Sequence, residues 1–299
     1  NGSKGVKEGE MVKILERLGL AFGADTNAST GFSETVYKLD LPRTDDETVD
    51  TSLKLMRETA FNLTIDPGAV DRERGIVLSE ERARDTPGYR VLVRRLDFLL
   101  KDQRLPTRLP IGSVDVLKTA PASRIAAFYD AWYRPERAVF VAVGDFDLDR
   151  MEQKIRDAFA GWTARAPAQA APAQGPVAVR GAEARLVVDP GVTQSLQIAW
   201  GAPPDLAPDT AAQRRADLIR GLGLAVLNRR YSVIARSADP PFLAAGASKF
   251  QQDDAAEIAT VGVNAEAGRW REALAAAERE QRRIVQYGVR QDEIDREIE

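Results

Sequence analysis

The sequence predicts an α+β fold: two similar domains, each a mostly antiparallel or mixed sheet covered by helices. Three observations predict it. Some stretches repeat apolar residues at helical spacing, shorter ones alternate or run apolar, and one Ala/Pro/Gln-rich stretch with neither period divides the chain. Strand-like runs also cluster at hairpin distances instead of alternating singly with helices, which disfavours a doubly wound parallel sheet.

Before the dividing stretch, Met11, Leu15 and Leu18 share a helical face, and so do Val49, Leu53, Met56 and Ala60. Ile125, Phe128, Tyr129 and Trp132 follow the same template, and Met151, Ile155, Ala158 and Phe159 nearly do. Residues 35–39 alternate and residues 138–143 run apolar, so both read as strands. Residues 163–176, TARAPAQAAPAQGP, cannot bury a face and read as a semi-extended linker. After it, residues 184–188 and 195–200 read as strands, 210–236 as a long helix, and 242–248 and 257–263 as two further strands. Trp270, Leu274, Ala277 and Ile284 then mark a helix, and 289–299 the start of another. A strand followed by a turn and an amphipathic helix occurs on both sides of the linker. The expected domains are 1–162 and 177–299, joined by 163–176.

Composition narrows the chemistry. The 299 residues carry a formal charge of −3 and no basic stripe, so no nucleic-acid partner is expected. No apolar run approaches the roughly 20 residues of a membrane span, so no membrane insertion is expected. With no cysteine, no disulfide, thiol nucleophile or zinc finger is possible. With no histidine, the commonest general base and the commonest metal ligand are both missing.

Two motifs have plain readings. Gly221-Leu222-Gly223 lies inside a helical stretch and does not follow a strand, so helix packing explains it better than a dinucleotide loop. The sequons at Asn27 and Asn62 match a pattern that is common by chance. The charged segment 71–82 carries more information. Glu73 and Glu80 fall on nearly the same helical face, and Glu80 and Arg84 are spaced for an i,i+4 pair. On its own, this segment reads as a solvated face laced with ion pairs.

The order of the segments changes that reading. The opening Asn1-Gly2-Ser3, the helix ending Leu15-Glu16-Arg17-Leu18-Gly19, the run Asn27-Ala28-Ser29-Thr30, and Thr35-Val36-Tyr37 before Leu41-Pro42 occur in sequence. They are followed by Arg72-Glu73-Arg74-Gly75-Ile76-Val77-Leu78-Ser79-Glu80, Leu109-Pro110-Ile111-Gly112, Tyr133-Arg134-Pro135, Val143-Gly144-Asp145 and Asp239-Pro240-Pro241-Phe242. This succession resembles the pitrilysin/insulinase family of zinc metallopeptidases, the HxxEH inverzincins, and most of all their large bacterial periplasmic members.

The resemblance implies a fold in which paired domains form half of a clamshell, the other half coming from the C-terminal half of the same polypeptide. It implies a zinc-dependent endopeptidase that hydrolyses peptides with metal-activated water. It assigns Glu80 as a metal ligand, Glu73 as an acidic residue supporting it, and Asn27 and Ala28 to a strand that pairs with a peptide substrate. The HxxEH motif, which supplies two histidine ligands and the general base, is absent, and the resemblance places it upstream of Asn1. The chain alone is therefore expected to hold no zinc and to be inactive. The alternative is a non-catalytic scaffold or partner subunit of the same family.

Overall fold

The computed structural model describes residues 2–21 and 23–299. The backbone groups into two units, 1–84 with 108–172 and 85–107 with 173–299.

In the first unit, α1 (Glu10–Arg17) buries Leu15 and stops where Gly19 takes φ 84°. Gly19 N–H donates to Glu16 O and Leu20 N–H to Leu15 O, both at 3.0 Å, closing the helix with a left-handed residue that only glycine adopts freely. Leu15, Leu18, Leu20, Val6 and Leu55 form a small core. Strands β1 (Thr26–Thr30) and β2 (Thr35–Leu39) pair antiparallel, with Ala28 opposite Tyr37. Helix α2 (Asp46–Phe61) begins where the Asp45 side chain accepts from Thr48 N–H. It is followed by α3 (Pro67–Arg84), and in the second unit by α4 (Pro87–Leu99). The first unit resumes with α5 (Val114–Thr119), α6 (Ala122–Trp132) and α7 (Leu148–Phe159).

In the second unit, β3 (Ser195–Ala202), β4 (Ala244–Gln252) and β5 (Ala256–Asn264) form an antiparallel sheet in the order β3-β5-β4. The long helix α8 (Ala211–Ala235) connects β3 to β4, and α9 (Trp270–Tyr287) follows β5. Leu227 and Tyr231 of α8, Phe242, Ala247 of β4, Val261 and Val263 of β5, and Ala273 and Ala277 of α9 make the core. Tyr231 is fully buried, and its hydroxyl donates to Ala277 O at 2.9 Å. The chain ends in α10 (Gln291–Ile298), where Glu293 accepts from Arg230 at 2.7 Å and from Arg290 N–H at 2.9 Å.

The α+β class and the antiparallel sheets agree with the sequence reading, but three details differ. Residues 138–143 and 184–188, expected as strands, join no ladder. A strand needs a neighbour to take its hydrogen bonds, and among the described residues none lies beside either segment. Every residue of 138–143 is exposed. Phe140 packs on Phe159 of α7 with ring centroids 5.7 Å apart, while Val139 and Val143 are 89% and 91% exposed.

Second, residues 85–107 group with the second unit rather than with 1–162. Arg90 grips the buried Asp189 with two bonds of 2.8 Å, and Arg180 donates to Phe98 O at the end of α4. Third, the stretch 163–176 has no regular structure, yet both its ends are held. Arg134 donates to Ala166 O and Arg137 to Gln169 O in the first unit. In the second, Gln103 Nε2 donates to Gly175 O at 2.9 Å and Arg104 N–H to Gln174 O at 2.8 Å.

Candidate functional site

The sequence-derived site residues all fall in the first unit, on β1 and α3. Helix α3 is polar on most of its surface, and only Ala69 is buried. Its arginines hold it in place. Arg72 donates to Glu8 at 2.6 Å, and Arg74 reaches Leu117 O and, at 2.8 Å, Ala120 O around the end of α5. Glu73 and Glu80 are left exposed, and neither makes a hydrogen bond or ion pair among the described residues. The Glu80–Arg84 pair that the spacing allowed is not formed. The adjacent Glu81 is half-buried, as expected for side chains about 100° apart around a helix.

The β1–β2 hairpin has a definite polarity. Gly31 N–H donates to Glu34 O at 2.9 Å and Asp40 N–H to Asp25 O at 2.8 Å, so the odd-numbered residues of β1 face β2. Thr26, Ala28 and Thr30 therefore turn their backbone groups to the other edge, where no strand lies among the described residues. Thr26 O is taken by Gly23 N–H at 2.9 Å. Ala28 N–H is taken by Asn27 Oδ1 at 2.8 Å. Asn27 thus satisfies, with its own side chain, a donor that an added strand would otherwise use.

Two groups near these elements escaped the sequence reading. Glu58, on the last turn of α2, is only 4% exposed. Burial alone would push its carboxyl up. Four donors outweigh that and bring it down to about 2: Ser3 Oγ, Gly5 N–H, Arg57 and Asn62. A signal was available, because Glu58 continues the buried line Thr48–Ser52–Leu55. The other group is the tyrosine set Tyr37, Tyr129 and Tyr133. Its hydroxyl contacts span up to 96 positions, beyond the reach of any local pattern.

The residues present do not fit a zinc ion by themselves. No three His, Cys, Asp or Glu side chains converge among the described residues, and the chain has neither histidine nor cysteine. A lone solvated carboxylate is a weak ligand for this metal.

A profile described as Insulinase (Peptidase family M16) matches residues 1–97, and one described as Peptidase M16 inactive domain matches residues 120–299. The Probable zinc protease PqqL of Haemophilus influenzae is 36% identical over 156 residues, covering 52% of this chain and 17% of that protein. A Zinc protease PQQL-like protein of Arabidopsis thaliana is 29% identical over 242 residues, covering 79% of this chain and 25% of its own length. The crystal structure of the periplasmic protease PqqL from Escherichia coli superposes with a TM-score of 0.84 at 24% identity, covering 99% of this chain and 33% of that one. The chain thus spans only a minor part of the length of these three relatives. No helix among the described residues is long and apolar enough to cross a membrane. On the profile that spans residues 120–299 and the one that precedes it, the chain belongs to the insulinase family of peptidases, M16.

Proposed function

We propose that this chain is part of a zinc-dependent endopeptidase and contributes the strand that receives the peptide and one carboxylate of the metal site. One observation carries the reading. The same unit presents a β1 edge with no strand beside it among the described residues, its Ala28 N–H held only by the Asn27 side chain, and, on α3, an exposed and unpaired Glu80 with Glu73 on the same face. A peptide laid along β1 gains main-chain hydrogen bonds, which explains tolerance of many sequences. Glu80 is free to ligate, and Glu73 stands behind it. The remaining ligands and the general base come from outside residues 1–299, and the C-terminal half of the same polypeptide closes over the peptide. By analogy with the protein described as periplasmic, the location is the periplasm.

A second reading is a non-catalytic scaffold or partner subunit. The match of residues 120–299 to a domain described as inactive favours it.

Zinc content and peptide hydrolysis of the longer polypeptide separate the two. In a peptidase, Glu80→Gln loses both and Glu81→Gln keeps both, because Gln preserves size and removes the charge. Glu73→Gln has the milder effect of an outer partner, about 10–100-fold. Residues 1–299 alone, titrated calorimetrically, should bind zinc no better than any acidic protein. A fully zinc-loaded and active Glu80→Gln enzyme would overturn the assignment.

A further inference from the structure

A two-stranded hairpin is marginal in water by itself. The β1–β2 pair is also largely exposed: of β1, only Thr26 is buried. A peptide-accepting edge built on it needs an anchor in the middle of the hairpin as well as at its base. At the base, Leu39 packs against the small core and Asp40 N–H closes on Asp25 O. A side-chain contact holds the middle. Tyr37, directly across the strand pair from Ala28, places its hydroxyl 2.6 Å from that of Tyr133. The two rings meet edge-on at 6.5 Å.

Tyr133 is itself fixed. Its ring lies 4.6 Å from that of Tyr129. The Tyr129 hydroxyl donates to Thr59 O at 2.8 Å near the end of α2 and accepts from Leu63 N–H at 3.3 Å. The guanidinium of Arg165 sits 4.7 Å from the Tyr129 ring centre, and Arg165 pairs with Asp130 at 2.8 Å. The chain of contacts runs from Ala28 through Tyr37, Tyr133 and Tyr129 to the connection that leads into α3. The phenol of Tyr37 is pushed well above its ordinary range by burial and by its bond to Tyr133.

We propose that Tyr37 and Tyr133 are positioning residues whose shared hydroxyl bond holds the free edge of β1 at Ala28 in register for an incoming peptide strand. This rests on the reading that β1 accepts the peptide. Neither tyrosine touches the peptide in this account. Each acts through the backbone of β1, by removing the hinge freedom that would otherwise have to be frozen on binding.

The test measures binding of a fluorescein-labelled, uncharged, unstructured peptide longer than β1 to residues 1–299 by anisotropy, alongside thermal unfolding. Tyr37→Phe and Tyr133→Phe should each weaken binding about fivefold, the equivalent of one net hydrogen bond, with unfolding little changed. The double variant should be no weaker than either single, because both remove the same bond. Ala28→Pro removes the outward N–H, which Asn27 Oδ1 must release for an added strand to pair, at a position where an edge strand tolerates proline, and should abolish binding. If Ala28→Pro binds as the parent does, or the parent itself does not bind, the β1 reading fails and the positioning role with it. If Ala28→Pro loses binding while both phenylalanine variants retain full affinity, the positioning role alone is overturned. It is also overturned if the two losses add, or if both single variants unfold, since the pair would then be holding the domain rather than the edge.

Discussion

Glu58 accepts a hydrogen bond from the hydroxyl of Ser3 at 2.6 Å across 55 positions of sequence. The same carboxylate accepts from Gly5 N–H at 2.8 Å and from Asn62 at 3.0 Å. Thr64 N–H and hydroxyl both reach back to Gly2 O, at 3.0 and 2.8 Å. One buried charge therefore stitches the turn at residues 2–6 to the end of α2 and to the connection that begins α3, the helix bearing Glu73 and Glu80.

This arrangement makes stability depend on pH. The Glu58 carboxyl is depressed from 4.5 to about 2 in the folded state. Its contribution is therefore complete above the ordinary glutamate range and is lost as pH falls from about 4.5 towards 2. Glu58→Gln should cost no more than about 3 kcal/mol near neutral pH, with the difference from the parent shrinking as acid is added. Denaturant melts at pH 7 and pH 3 measure both. An equal penalty at the two values would show that the charge is not what holds the turn.

The stretch 163–176 should be cut at its centre. Arginines 134 and 137 hold its first part through Ala166 and Gln169, and Gln103 with Arg104 holds its last part through Gly175 and Gln174. The exposed residues 170–173 lie between these two anchors. Limited proteolysis with subtilisin, read by mass spectrometry, should cleave first within 170–173. First cleavage inside 45–85 would mean that the first unit opens more readily than the connection.

Tyr231→Phe isolates one buried hydrogen bond in the second unit. The hydroxyl meets Ala277 O at 2.9 Å with the side chain fully buried, so the substitution keeps the ring packing against Phe242 and removes only the second bond to a carbonyl inside α9. A loss of about 1–2 kcal/mol is expected in equilibrium unfolding. Tyr231→Ala, which also opens a cavity, should cost about 3–5 kcal/mol. Equal losses for the two would show that packing contributes nothing beyond the hydroxyl.

What the sequence determined by itself was whatever a short window of chain encodes. The helical faces of α1, α2, α7 and α9, the helix α6, though Ile125 and Phe128 of its apolar face are exposed, the strands β2, β3, β4 and β5, and the glycine stop after Leu18 all follow from residue spacing and backbone preference. The succession of short motifs was enough to bring out the family. It also put Glu73 and Glu80 on one face of α3 and Asn27 and Ala28 on β1, where their functional roles stand as proposals.

The tertiary structure alone decided what depends on a distant partner. Residues 138–143 have the composition of a strand, but a ladder needs a neighbour, and none is present among the described residues. Residues 85–107 read as continuous with 1–84, yet Arg90 and Arg180 fasten them to residues far along the chain. Glu58 looks like one more charge on a helix until Ser3 and Gly5 fold back on it, and Tyr37 meets Tyr133 only when the hairpin docks. Periodicity records which face of an element avoids water; it carries no record of which distant group will occupy that face.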